Sequence, residues 1–213
     1  MKALVYTGPK TIQFQEASEP MAGIGDVLIE VNAVGICGSD MHAFMGHDDR
    51  RPAPLILGHE AAGIIRGGND EGMRVVINPL VTCGHCSDCL SGRENLCAER
   101  EIISMPPRQG AFAERLIVPR RNIIEVPDNL DLIHASLAEP LATSWHGVVL
   151  ASRHASRPIS EASALVMGSG AVGLGAALAL RAFGCAKLLK MPVFRKLLIQ
   201  QLKAHWIKAA LKS

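Results

Sequence analysis

No run of about 18 apolar residues occurs in the 213-residue chain, which excludes a membrane-spanning helix. No apolar stretch of signal-peptide length follows Met1 and Lys2. A short strand-like run, Ala3-Leu4-Val5, is followed instead by Thr7-Gly8-Pro9. No internal repeat is visible. Excess charge of one sign is also lacking: the formal net charge is +2, which gives no reason to expect a nucleic-acid partner. Acids are absent altogether after Glu161, a local deficit that the average conceals. What is present suffices for a packed core, with 48 % apolar and 20 % charged residues. Such a length accommodates one large domain, or one domain and part of another.

Six cysteines occur, four of them between positions 83 and 97. Without an export signal, that crowding suggests a metal rather than disulfides and points to a cytoplasmic protein.

The first part of the chain reads as β-rich. Val27, Ile29, Val31 and Ala33 alternate with Leu28, Glu30 and Asn32, the pattern of a half-buried strand. Arg74-Val75-Val76-Ile77, Leu116-Ile117-Val118 and Asn122-Ile123-Ile124-Glu125-Val126 read as further short strands, punctuated by Gly and Pro. Many short strands between such turns predict an irregular barrel. Residues 130–150 turn helical, residues 152–163 read as a polar linker, and Ala164-Leu165-Val166-Met167 reads as a buried strand. An alanine- and leucine-rich helix is expected up to Phe183.

Cys83, Cys86, Cys89 and Cys97 form C-x2-C-x2-C-x7-C. Four thiolates can surround one zinc ion tetrahedrally and leave no open position, so such a site holds structure and does no chemistry. Disulfides between cysteines so close would be strained. An iron–sulfur cluster uses related spacings, usually with a following proline. Zinc is the reading that spacing and context favour.

A second candidate metal set is scattered. Cys37 lies in Gly35-Ile36-Cys37-Gly38-Ser39-Asp40-Met41-His42, His59 and Glu60 lie in Gly58-His59-Glu60-Ala61-Ala62-Gly63, and Glu139 lies in Ala138-Glu139-Pro140-Leu141-Ala142. A thiolate, an imidazole and a carboxylate make an open zinc site that would polarise an alcohol oxygen and lower its pKa. Taken singly, a lone Cys is more often core and a lone His or Glu more often a surface residue.

In combination these segments resemble the zinc-dependent medium-chain dehydrogenases, the alcohol dehydrogenase family. The G-x-C-G-S-D-x-H element, the G-H-E-x-x-G element and the four-cysteine lobe stand in that family's order, and Gly110-Ala111-Phe112-Ala113-Glu114 resembles its G-x-F-A-E turn. The likeness extends from residue 1 to about 187. Glu139 in an E-P-L context resembles the polyol branch of sorbitol, threonine and sugar-alcohol dehydrogenases. The resemblance implies a mostly β, GroES-like catalytic domain over 1–150, a linker and the start of an α/β Rossmann domain over 151–187, and two zinc ions per chain. Cys37 and His59 would bind the catalytic zinc, with Glu60 or Glu139 in the third position, a choice left open. Ser39 would hydrogen-bond the substrate hydroxyl and begin a proton relay. His42 is a candidate next member, or equally a solvated loop residue. Asp40 would orient a ligand from behind. The implied partner is a small-molecule alcohol and the implied assembly a homo-oligomer, an expectation weakened if the chain is a fragment.

Gly168, Gly170 and Gly173, with Val172 among them, form G-x-G-x-x-G between the expected strand and helix, a loop that admits the pyrophosphate of NAD or NADP. The acid that should follow about 20 residues later is missing, and Lys187-Leu188-Leu189-Lys190-Met191-Pro192 stands there instead. A lysine there suits NADP. The simpler reading is a premature end, because 168–213 can supply only part of one βαβαβ half. Residues 187–213 carry seven Lys or Arg and no acid, and the 188–213 tail shows no family likeness. Phe194, Leu197, Leu198, Leu202, Trp206 and Ala209 would line one face of a basic helix if the tail were functional, at a membrane surface or a partner.

Overall fold

A computed structural model describes residues 1–190 and the strand Trp206–Lys208. The described elements fall into two compact units, one of residues 1–136 with Trp206–Lys208, the other from Leu137 onward.

In the first unit, β1 (Lys2–Gly8), β2 (Thr11–Glu16), β3 (Asp26–Gly35), the short helix α1 (Gly38–Phe44), β4 (Leu55–Ile56), β5 (Glu60–Arg66) and β6 (Arg74–Ile77) come first. β7 (Leu80–Val81), the one-turn helix α2 (Ser87–Leu90), β8 (Glu101–Ile102), β9 (Arg115–Pro119), β10 (Ile123–Glu125) and α3 (Leu132–Ala135) follow. The main sheet runs β10-β6-β5-β3. The other edge of β3 is shared between β9, paired with residues 26–30, and β13 (Trp206–Lys208), paired with residues 33–35. Every ladder in this sheet is antiparallel. Two partners on one edge and a register shift between Val31 and Ala33 let β3 curl the sheet, as the expected irregular barrel requires. A second sheet, β2-β1-β4, covers it.

Of the alternation read across residues 27–33, the part from 29 to 33 holds: Ile29, Val31 and Ala33 are buried and Glu30 and Asn32 exposed, while Val27 and Leu28 are both half-buried. Ile29, Leu55, Leu57, Ile65, Val75, Ile103 and Val118 form the centre of the core, each under 2 % exposed or at 2 %. Burying one such side chain contributes about 1.5–3 kcal/mol. Residues 78–104 leave this sheet as a lobe. Its root is held by Asn122, 3 % exposed, whose Nδ2 donates to the carbonyls of Asn78 (2.9 Å) and Leu80 (2.8 Å).

The second unit contains α4 (Ala138–Arg153), β11 (Ser163–Val166), α5 (Ala171–Ala182) and β12 (Lys187–Lys190). The helical stretch expected over 130–150 is two helices. Asp131 caps α3, its Oδ1 accepting from Ile133 N at 2.7 Å. Pro140 falls in the first turn of α4, where its missing N–H costs no helical bond. β11, α5 and β12 form a parallel βαβ unit, the beginning of a Rossmann-type layer.

The strand over 164–167 was expected to be buried and is not. Leu165 is 56 % exposed and Met167 lies beyond the strand, 78 % exposed. The reason is that, among the described residues, β11 has a single strand neighbour, β12, and one face of this two-stranded sheet lies open. The helix considered over residues 194–209 lies outside the described residues except at Trp206–Lys208, which is a strand because its backbone completes the free part of the β3 edge.

Candidate functional site

The loop after β3 and the strand β5 bring three ligand-type side chains together. Cys37 stands at the N-cap of α1, and His59 and Glu60 stand at the start of β5, which pairs with β3 so that Gly35 faces Glu60. One ligand atom from each of Cys37, His59 and Glu60 lies within 4.8 Å of the others. His59 and Glu60 are each 8 % exposed. Gly35 makes room for the carboxylate, since a Cβ at that position would overlap Glu60 Oε2.

Asp40, 2 % exposed, organises this cluster from behind. Its Oδ2 accepts from Cys37 N at 3.0 Å, its Oδ1 accepts from Gly58 N at 3.1 Å, and the same Oδ1 lies 3.4 Å from His59 Nδ1. Burial disfavours a charged imidazole, but Asp40 and Cys37 outweigh it and push the His59 pKa up to about 10. A cluster that draws a proton so strongly is one whose donors favour a cation. The sulfur–imidazole–carboxylate set, converging with two of its three members buried, fits a zinc ion with an open position.

Ser39 and His42 lie on α1, Ser39 half-buried and His42 exposed on helix rather than on a loop. Glu139 belongs to the second unit. It sits in the first turn of α4, where its Oε1 accepts from Thr143 Oγ1 at 3.3 Å. Two residues that the sequence did not single out close the first cluster: Ser104, whose Oγ is 3.4 Å from His59 Nδ1, and Arg51, whose Nε donates to Ser104 O at 3.0 Å. Neither belongs to a ligand-type motif, and only the fold brings them near His59. The carboxyl of Asp48, which pairs with Arg51 at 2.6 Å, is held down at about 2, chiefly by hydrogen bonds from Arg50.

The four cysteines of the lobe meet as their spacing predicts. All six cysteines of the chain are free thiols, so no disulfide competes. Sγ–Sγ separations are 3.8 Å for Cys83–Cys89, 3.5 Å for Cys86–Cys89 and 3.7 Å for Cys97–Cys83. Sulfurs about 2.3 Å from a central zinc sit about 3.8 Å apart at the corners of a tetrahedron, so these side chains fit the ion without rearrangement. Backbone N–H groups of His85 and Cys86 bring the Cys83 pKa down to about 6, toward the thiolate a metal needs.

Residues 23–128, which carry both clusters, match the alcohol dehydrogenase GroES-like domain. The chain belongs to the zinc-type medium-chain alcohol dehydrogenase family. Within the family it falls on the polyol side. It is 36 % identical over 195 residues to L-idonate 5-dehydrogenase of Vitis vinifera, covering 87 % of this chain and 52 % of that protein. It is 36 % identical over 198 residues to sorbitol dehydrogenase of Bacillus subtilis (strain 168), covering 89 % and 55 %. Among solved structures it resembles a zinc-binding dehydrogenase from Sinorhizobium meliloti 1021 bound to NADP, with a TM-score of 0.79, 32 % identity and coverage of 93 % of this chain and 59 % of that one. The chain thus spans about half the length of the curated relatives it matches.

In the second unit of this family member, the glycine loop lies between β11 and α5. Gly168 has φ +97°, which favours glycine, and a Cβ on Gly173 would overlap the Gly168 carbonyl. Gly170 is the N-cap of the 12-residue α5, and Val172 is 53 % exposed on its first turn. β12 ends at Lys190, so the strand end that would carry the ribose-binding acid holds a lysine within the described residues. No described helix is long and apolar enough to cross a membrane.

Proposed function

We propose that the chain carries the alcohol-binding half of a secondary-alcohol dehydrogenase acting on a polyol or sugar alcohol with NAD or NADP. The observation that carries this reading is the convergence, within 4.8 Å, of a half-buried Cys37 with the buried His59 and Glu60. Cys37 and His59 hold a zinc ion there, and Glu60 is the carboxylate that the first unit supplies. Glu139 is the rival, and Glu60→Gln against Glu139→Gln separates the two by which one lowers zinc content. Zinc bound at this site polarises an alcohol oxygen and lowers its pKa. Asp40 fixes the Cys37 and Gly58 backbone and faces His59, so the ligands are held before substrate arrives. Ser39 would take the substrate hydroxyl proton while handing its own to His42, one turn along α1 and exposed, which would release it to water. Cys83, Cys86, Cys89 and Cys97 hold a second, structural zinc.

The cofactor half is represented by Gly168, Gly170, Val172 and Gly173, which would receive the pyrophosphate. One βαβ unit is a fraction of a dinucleotide cradle. The chain alone is therefore expected to turn over little alcohol. A purified sample should contain about two zinc ions per chain by metal analysis and show no NAD- or NADP-dependent oxidation across a polyol panel. One zinc per chain would refute the catalytic cluster. Two zinc ions with vigorous turnover would refute the incomplete cradle.

A second reading is favoured by the open face of the β11–β12 sheet. Through that face the chain would be a zinc-stabilised fragment that pairs with a full-length relative. Co-purification with such a subunit would support it, and a persistent monomer would count against it.

A further inference from the structure

Ser104 is completely buried, at 0 % exposed, and has φ +70°, a conformation that side-chain-bearing residues seldom adopt. It lies on the return from the four-cysteine lobe, just after β8. Ile103 N donates to Pro79 O at 3.0 Å and Met105 N to Ile102 O at 3.0 Å, so the backbone on both sides is pinned. Its own carbonyl accepts from Arg51 Nε at 3.0 Å. Arg51 is itself 3 % exposed and anchored by Asp48 at 2.6 Å. A glycine would take this φ at no steric cost. What serine adds is a hydroxyl, and that hydroxyl lies 3.4 Å from His59 Nδ1.

A second polar atom faces that nitrogen. It is Asp40 Oδ1, also at 3.4 Å and already accepting from Gly58 N at 3.1 Å. Nδ1 thus stands between a carboxylate that is partly engaged and a hydroxyl held rigidly by the Arg51–Asp48 anchor. We propose that Ser104 is a positioning residue for His59: with Asp40 it fixes the rotation and tautomer of the ring so that Nε2 is the nitrogen presented to a metal shared with Cys37 and Glu60. The inference rests on the reading of that cluster as a zinc site. It also gives the lobe a second consequence, because its return segment reaches the imidazole of the other metal cluster.

The test uses the full chain, loaded with zinc and, separately, with cobalt(II). A difference spectrum between wild type and Cys37→Ser isolates the cobalt at the Cys37 cluster from that in the lobe. Ser104→Ala removes the hydroxyl and retains a Cβ at positive φ. Ser104→Gly removes the hydroxyl and relieves the backbone. Both variants should bind metal at the Cys37 cluster about 10–100-fold more weakly than wild type, with displaced cobalt ligand-field bands and unchanged metal affinity in the lobe. Wild-type affinity and bands in both variants would overturn the proposal. So would a loss in Ser104→Ala that Ser104→Gly restores, since backbone geometry alone would then matter. If wild type itself gives no Cys37-dependent cobalt signal, the zinc reading of the cluster is wrong and this inference falls with it.

Discussion

Gly35 shows how much of the metal cluster depends on an atom that is not there. It pairs with Glu60 across the β3–β5 ladder, and the carboxylate lies over the space a side chain would fill. Substituting Gly35→Ala forces either the Glu60 side chain out of the cluster or the two strands apart. Within a packed sheet the side chain is the softer of the two. The expected outcome is retained folding, retained zinc in the four-cysteine lobe, and at least about tenfold weaker binding of the second zinc, in line with the usual cost of disturbing groups around a metal. A chelator titration resolving two classes of zinc would show it, and two undisturbed classes would contradict it. Glu60→Gln, which keeps the shape and removes the charge, should weaken the same class.

At the scale of elements, one buried hydroxyl ties α4 to α5 beside the apolar cluster of Val148, Ala179 and Leu180. Ser144, 2 % exposed on α4, donates to Pro140 O (2.7 Å) or to Val172 O (3.0 Å) in the first turn of α5. A Cβ on Gly175 would strike the same hydroxyl, so the two helices are packed as closely there as their side chains permit. Ser144→Ala removes the tie and should destabilise this unit by about 1 kcal/mol. For a unit of this size that is a fall of about 4–8 °C in its melting transition. Calorimetry on the purified chain would register it, and zinc content should not change. Elements of this kind were only partly legible in the sequence. The β3 strand, the four-cysteine set and the glycine loop are legible because each rests on local spacing: an alternation of two, a C-x2-C repeat, a G-x-G-x-x-G run. Cys37, His59 and Glu60 are scattered, and only the family resemblance groups them. The split of residues 130–150 into α3 and α4 was less visible, because Asp131 and Pro140 act through capping and first-turn geometry within a continuous helical composition. Ser104 and Arg51 were not visible at all. They lie 45 and 8 residues from His59 in sequence, and only the return of the lobe brings Ser104, with Arg51 on its carbonyl, beside the imidazole. The exposure of Leu165 on β11 escapes the sequence for the opposite reason, since an apolar run reads as buried whether or not anything packs on its face.

For the molecule as a whole, that open strand is the feature that governs behaviour in solution. Leu165 and Leu189 are register partners on the parallel strands β11 and β12, so they share one face, and they are 56 % and 48 % exposed. Met167 continues the apolar surface at 78 % exposed. An apolar sheet face left open among the described residues invites another chain to cover it. The chain is therefore expected to self-associate at micromolar concentration through the second unit while the zinc clusters of the first unit remain intact. Replacing both leucines by lysine places two cations side by side where association would have to bury them, at a cost of several kcal/mol per buried charge. The double variant should sediment as a monomer over a concentration range where wild type does not, with the same zinc content. If wild type is already monomeric at high concentration, or if the double variant associates as before, the contact lies elsewhere. A loss of zinc in the double variant would show instead that the first unit depends on the second for its fold.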